Sequence, residues 1–328
     1  MPNIRKPRAG SMQVWPRVRA NRPYARVRHW TARTEKGPLG FAGYKVGMTH
    51  VTIADTRKTS LTKGMEITRA ATIVECPPIK IVGVRFYAPN KNGYGIAAAK
   101  QIIAKADKEL ERKFPLPKKT TEQDMAKINP AEYVDIRLVA YTQPKLTGRG
   151  NKKPEMFEIG LGGNVQQKFE TARERLGKEI TIQEVFKEGQ QIDVQSITKG
   201  KGFQGPVKRF GVSIRQHKSE KTIRGPGSLG PWRGQSHVMY RVAHAGQMGY
   251  HQRIDYNKKI LKIDTDTKQV TPKGGFHKYG LIHNSYVIID GSIPGVRNRI
   301  VRFTSPRREN KKITPEIMQI KYIFNERG

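Results

Sequence analysis

The chain has 328 residues, with 62 Lys and Arg against 27 Asp and Glu, a formal net charge of +35. Self-repulsion on that scale destabilises a compact state, so a polyanion is the natural counter-charge and nucleic acid the first candidate. The single cysteine, Cys76, excludes an internal disulfide framework and a thiolate metal cage, and no apolar run approaches the roughly 18 residues that span a bilayer.

The opening residues have no apolar stretch of the signal-peptide kind. Pro2, Pro7, Pro16 and Pro23 argue against the amphipathic helix of a transit peptide, so a reducing, cytoplasmic setting without membrane contact is expected. Residues 1–50 carry 11 basic and 1 acidic side chain. A solvated face mixes both signs, so a stretch this short of acids reads as a polyanion contact. Its first part, 1–37, is expected to be an extended basic arm: proline-rich, without apolar periodicity, and unable to bury enough surface to fold alone. Arg5, Lys6, Arg8, Arg17, Arg19, Arg22, Arg26 and Arg28 are its candidate phosphate contacts. Trp15, Tyr24 and Trp30 are set among them, as suits rings that stack on exposed RNA bases.

A folded unit begins at about residue 38. Leu39 to His50 is glycine-punctuated and leads into Val51-Thr52-Ile53. Residues 68–76 and 80–87 are β-branched and aromatic with Pro77-Pro78 between them, and read as two short strands joined by a turn. From about residue 90 the pattern changes. Ile96, Ala99, Ile103, Ala106, Leu110 and Phe114 recur at steps of 3 and 4, the spacing of a helix face, stopped by Pro115 and Pro117. Residues 133–141 alternate as a strand. Val165, Phe169, Ala172 and Leu176 form a second helical stripe between Asn164 as N-cap and Gly177, and Thr181 with Glu184 makes a capping box for a third, short helix. Strand-like runs return at 191–198, 259–263, 285–290, 299–304 and 318–324. The pattern predicts a β-barrel built from two chain segments, 38–92 and 190–328, with an inserted α+β domain at 93–189.

The most informative segment is a long Gly-rich basic loop at 199–258. Ten glycines fall between Gly200 and Gly249, and no helical or strand period persists. So long a loop inside a compact domain is functional or a mistaken assignment. Glycine allows close backbone approach and cations neutralise phosphates, so the loop is expected to thread between RNA helices and order there. Its candidate contacts are Lys199, Lys201, Lys208, Arg209, Arg215, Lys218, Lys221, Arg224, Arg233, Arg241 and Arg253. His217, Trp232, His237, His244, Gln247, Tyr250 and His251 join them. Lys199 to Gly205 lacks the Gly-Lys-Ser/Thr ending of a phosphate-binding loop, so no nucleotide pocket is inferred. His237, His244 and His251 are spaced by seven, but Gly246 and Gly249 break the helix that a metal site would need, and no carboxylate or thiolate joins them. Trp232 follows Gly230-Pro231 with little local core to receive it. Between 195 and 260 the only acids are Glu220 and Asp255, unpaired in sequence, so metal-assisted or acid–base hydrolysis of RNA has no support. A DNA-binding architectural protein is the alternative that shares the charge, although no basic helix or ribbon suited to a groove is evident.

Three runs carry a resemblance. Phe41-Ala42-Gly43-Tyr44-Lys45-Val46-Gly47-Met48-Thr49-His50, then Thr198 to Arg209, then Gly230-Pro231-Trp232 through Ala243-His244-Ala245-Gly246-Gln247-Met248-Gly249-Tyr250-His251-Gln252-Arg253, together resemble the universal large-subunit ribosomal protein L-three family. Arg5 to Ser11 and the sizeable insertion are similar to its archaeal and eukaryotic branch, and the Lys content and length to an archaeal member. The resemblance implies a structural, non-enzymatic protein without cofactor or metal site of its own. It implies binding to large-subunit ribosomal RNA near its 3′ end and early subunit assembly. Neighbouring large-subunit ribosomal proteins and RNA-held Mg ions would surround the chain. It also implies an extension toward the peptidyl transferase centre, with a finger tipped by Trp232 and a basic arm at about Arg215 to Arg224. The histidine methylation of some members is not carried over to His217, where the local spacing departs from theirs.

Overall fold

A computed structural model describes residues 11–57, 60–90, 93–105, 107–115, 121–218, 222–230, 238–313 and 316–325. The chain divides into two compact units. The smaller is made of residues up to 22 and 197–252, and the larger of 23–196 and 253 onward.

In chain order the elements are β1 (Gly37–Pro38), β2 (Gly40–Ala54), β3 (Glu66–Glu75), β4 (Ile79–Pro89), β5 (Ile96–Ile103), β6 (Asp135–Thr142), β7 (Met156–Gly162), α1 (Val165–Arg175), β8 (Glu179–Ile180) and β9 (Gln191–Ile197). Then follow β10 (Phe203–Gln204), α2 (Pro206–Phe210), β11 (Gly246–Gln247), β12 (Gln252–Asp264), β13 (Tyr286–Asp290), β14 (Ile300–Thr304) and β15 (Ile320–Ile323). The fold is mostly β-sheet with few helices.

The larger unit holds two sheets. One has the order β14-β9-β12-β13-β3-β2-β15, and β14 also pairs with β2. Strand pairing therefore runs from β2 through β3, β13, β12, β9 and β14 and returns to β2. The length of β2 makes this possible. Gly40–Tyr44 pair with β14, Tyr44–Ala54 with β3, and Val51–Ile53 with β15. The second sheet has the order β1-β7-β6-β4-β5, with β8 on β4. It takes in β4 as well as strands from 93–189.

Three local expectations need correction. The predicted helix from Ile96 to Phe114 is β5 followed by a 3-10 turn at Lys108–Arg112. The antiparallel register Pro89↔Ile96 through Gly83↔Ile103 satisfies the backbone that a helix would have bonded internally. Ile96 and Ala99 lie exposed, while Ile102 and Leu110 carry the burial, so the 3-and-4 spacing reports no common face. The strands on either side of Pro77-Pro78 are not a hairpin: β3 pairs with β2 and β13, and β4 with β5, β6 and β8. The third helix is a single 3-10 turn at Ile182–Glu184, held by its capping box, with Thr181 N–H donating to Glu184 at 3.1 Å. The second helix is α1, where Gln167 accepts from Asn164 N–H at 3.2 Å and Gly177 follows with φ +75°.

One continuous apolar core joins inward residues of both sheets, among them Phe41, Ile73, Val194 and Phe303 with Ile81, Phe86 and Leu138. Two buried charged groups of the larger unit are well partnered. The Glu75 carboxylate accepts from the Tyr279 hydroxyl, from the backbone N–H of His283 and Asn284 (3.0 Å each) and from Asn284 Nδ2 (2.8 Å). Burial, with this carboxylate beside it, pushes the Tyr279 phenol far above its usual pKa. The Lys45 ammonium donates to the Ile293 and Gly295 carbonyls (2.6 and 3.2 Å), and burial lowers its pKa.

Residues 23–30, expected to be free arm, belong to this core. Tyr24, Ala25 and Val27 are buried, and Trp30 packs where Gly160 has no side chain; a Cβ there would sit 2.6 Å from the indole. Arg302, 3% exposed, donates to the Ala25 carbonyl (3.2 Å) and the Glu158 carbonyl, with its guanidinium 4.4 Å from the Phe157 ring centroid. Burial pulls its pKa down to about 9. The segment folds because its rings and carbonyls find partners far along the chain, which local composition does not reveal.

Candidate nucleic-acid interface

The smaller unit contains most of the sequence-predicted contacts, and it has an architecture of its own. The segment expected to have no persistent period forms a β-ribbon at its base. Thr198 N–H donates to His251 O (2.9 Å), Lys201 N–H to Met248 O (2.9 Å) and Met248 N–H to Gly202 O (2.9 Å), while β10 pairs with β11. Gly249 sits at φ +72°, and a Cβ on it would meet the Lys199 carbonyl at 2.0 Å, so only glycine fits. Past β10, Pro206 starts α2 and Gly211, at φ +72°, ends it. Ribbon and helix are too short to show a period in sequence.

Arg209 closes this base. Its Nε donates to Gln247 O (3.0 Å) and Nη1 to His244 O (2.9 Å), tying α2 to β11. Burial, and then the neighbouring Arg17 charge, lower its pKa. The Gln247 amide donates to Gly249 O at 2.9 Å. His251 is buried, and its Nδ1 lies 2.8 Å from Val18 O, a geometry that places the ring hydrogen on Nδ1. These three residues hold the base together.

The N-terminal arm docks on the same base. Ala20 N–H donates to Tyr250 O (2.8 Å), Arg17 Nη1 to Arg209 O (3.1 Å), and the Arg19 guanidinium lies 5.4 Å from the Tyr250 ring. Trp15 packs against Phe210 and Tyr240 (centroids 5.6 and 6.0 Å), and Arg17 lies 4.4 Å over Phe210. The rings expected to stack on bases are thus largely occupied within the protein: Trp15 here, Tyr24 and Trp30 in the core of the larger unit. No sequence signal marked Phe210 as the anchor of Trp15.

What remains outward is cationic. Arg19, Arg22, Lys199, Lys201, Lys208, Lys218, Arg224 and Arg241 are exposed, with His217 and His244. Arg215 is half-buried, its N–H donating to Ile223 O at 3.2 Å. Arg26 and Arg28 are exposed and Arg253 is half-buried in the larger unit. Exposed apolar groups accompany them, with Phe203 at 77% and Ile214, Leu229, Met239 and Tyr240 also open. Glu220 is the one acid in the sequence from 195 to 252. Arg5, Lys6, Arg8, Lys221, Trp232, Arg233 and His237 lie outside the described residues. Among the described residues no three of His, Cys, Asp and Glu gather as metal ligands, and no helix is long and apolar enough to cross a membrane.

The described surface of the smaller unit is strongly cationic. The model of the family described as Ribosomal protein L3 matches residues 1–326. The chain belongs to the ribosomal protein L3 family. Similar family members include the large ribosomal subunit protein uL3 of Methanosphaera stadtmanae, 46% identical over 96% of each chain. That of Methanobrevibacter smithii is 43% identical over 97% of this chain and 96% of its own. That of Archaeoglobus fulgidus is 44% identical over 93% of each. The archaeal relatives thus cover both units of this L3 family chain.

Proposed function

We propose that this chain is a structural constituent of the large ribosomal subunit, bound to large-subunit ribosomal RNA near its 3′ end from an early stage of assembly. Its role is structural rather than catalytic, and its setting is the cytoplasmic ribosome. The β2-to-β14 ring of pairings is read as a barrel, with the second sheet and α1 as its α+β insertion. The Gly-rich segment is the part that runs toward the peptidyl transferase centre, among RNA helices, RNA-held Mg ions and neighbouring ribosomal proteins.

One observation carries the reading: Lys199, Lys201 and Lys208 are exposed on a ribbon and short helix that Arg209 and His251 brace from within. A braced display of cations neutralises packed phosphates without ordering long side-chain-bearing loops at the moment of binding, which would weaken association. The test is the salt dependence of binding to a transcript of the 3′-terminal domain of large-subunit RNA. With about ten phosphates neutralised, log affinity should fall with log salt at a slope of about −7. A slope near zero rejects the reading, and duplex DNA that competes on equal terms replaces it with a DNA-binding role.

A further inference from the structure

The N-terminal arm and the Gly-rich segment are distant in the chain, yet residues up to 22 and 197–252 form one compact unit. Residues 15–20 of the arm belong to no helix or strand, so contacts with the Gly-rich segment place them. Two of these contacts fix the arm's backbone. Its Ala20 N–H donates to the Tyr250 carbonyl (2.8 Å), and its Val18 carbonyl accepts from His251 Nδ1 (2.8 Å). Neither bond involves a cation.

Phe210 shows what the arm does for the unit. It ends α2 and is only 4% exposed. Trp15 (centroids 5.6 Å apart) and the Arg17 guanidinium (4.4 Å) lie against its ring, so the arm supplies part of its cover. The Arg209 guanidinium is 5.0 Å from the same ring, which sets two like charges side by side. Their repulsion is offset because each also donates to protein carbonyls, Arg17 to Arg209 O and Arg209 to Gln247 O and His244 O. An undocked arm would uncover Phe210 in a unit with little other apolar area, so burial favours docking in the free chain.

We propose that the arm is latched onto the Gly-rich segment before RNA is met, and that Trp15, Phe210 and His251 are positioning residues for RNA binding. They hold the arginines of the arm and the lysines of the segment in one fixed array. A pre-formed array avoids ordering the arm at the moment of association, a cost otherwise taken from affinity. The proposal rests on the reading of the chain as an RNA-binding protein, and adds that affinity depends on side chains that carry no charge to a phosphate.

Trp15→Ala and His251→Leu leave every Lys and Arg in place. Each is made singly, and both together, in the full-length chain. Amide exchange at β10 and β11 first shows whether His251→Leu keeps its ribbon; Trp15→Ala, altered in the arm alone, tests the latch in either case. Without RNA, trypsin should cut after Arg17 and Arg19 about tenfold faster in Trp15→Ala than in the unaltered chain. Equal cutting overturns the latch.

On the 3′-terminal-domain transcript, Trp15→Ala should bind roughly tenfold more weakly at every salt concentration, with the log–log slope unchanged because no cation is removed. Affinity equal to that of the unaltered chain overturns the positioning role. A Trp15 that stacked on a base would act independently of His251, so the double variant separates the two cases. One latch opened twice loses no more affinity than the larger single loss, whereas additive losses overturn the proposal. An unaltered chain that binds no RNA defeats the earlier reading, and the latch is then decided by proteolysis alone.

Discussion

In the larger unit, buried charges are met from inside: Glu75 gathers four donors, and Arg302 lies against two carbonyls and an aromatic face. In the smaller unit Arg209, Arg17 and His251 are treated this way, while Lys199, Lys201 and Lys208 are exposed. The larger unit has a core of two sheets to absorb side chains, and the smaller has little beyond Phe210, Trp15 and Tyr240. Where apolar area is scarce, the few strong hydrogen bonds shape a surface, and most of its cations are left to solvent.

The comparison is broken most severely through Glu75. Glu75→Ala strands the Tyr279 hydroxyl and three N–H donors in the core, and should cost about 3–5 kcal/mol in urea unfolding. A loss under 1 kcal/mol would mean that the larger unit does not depend on its internal partners. Arg209→Ala should remove about 2–3 kcal/mol from the ribbon, since charged donors to two carbonyls are lost. Amide exchange should then quicken at 198–211 and 246–251 while β3 and β13 keep their protection. Equal quickening in both places would dissolve the distinction between the units. Replacing Lys199, Lys201 and Lys208 together by Ala should leave stability within about 0.5 kcal/mol. The RNA-binding slope should become shallower by about 2, so the surface role separates from the structural one.

The smallest effect is acidic. Arg57, then Ser60 and Thr62, hold the Asp55 carboxyl well below the usual carboxylate range. Such a carboxylate contributes stability above its unfolded pKa of about 4, lost as pH falls toward the folded value. Asp55→Asn should therefore lower stability at neutral pH, where the carboxylate's contribution is complete, and flatten the decline below about pH 4, read from melting temperatures across that range.

Strands at 133–141, 191–198 and 285–290 are legible because β-branched residues are packed into a core along their length, so local composition and tertiary packing agree. The helix of α1 is legible for the same reason. The stretch after Ile96 misleads because alanines satisfy a helical spacing while the partner strand β4 decides the backbone. The candidate contacts are legible as charge, and charge alone does not separate Lys199, which is exposed, from Arg209, whose donors are taken by carbonyls. That division depends on a residue 38 positions away in Gln247 and on a carbonyl 233 positions from His251.

Residues near Tyr24 leave the translation machinery first, yet the side chain that clasps the Ala25 carbonyl, Arg302, stands 277 positions later. β2 likewise waits for β14 to complete its pairings. During synthesis the leading peptide therefore stays unseated until almost all of the chain is made, since contacts so distant in sequence form late. For most of its own manufacture the polypeptide is a positively charged thread with an unfinished body, available to capture by any acidic chaperone or nascent transcript before its final strands arrive.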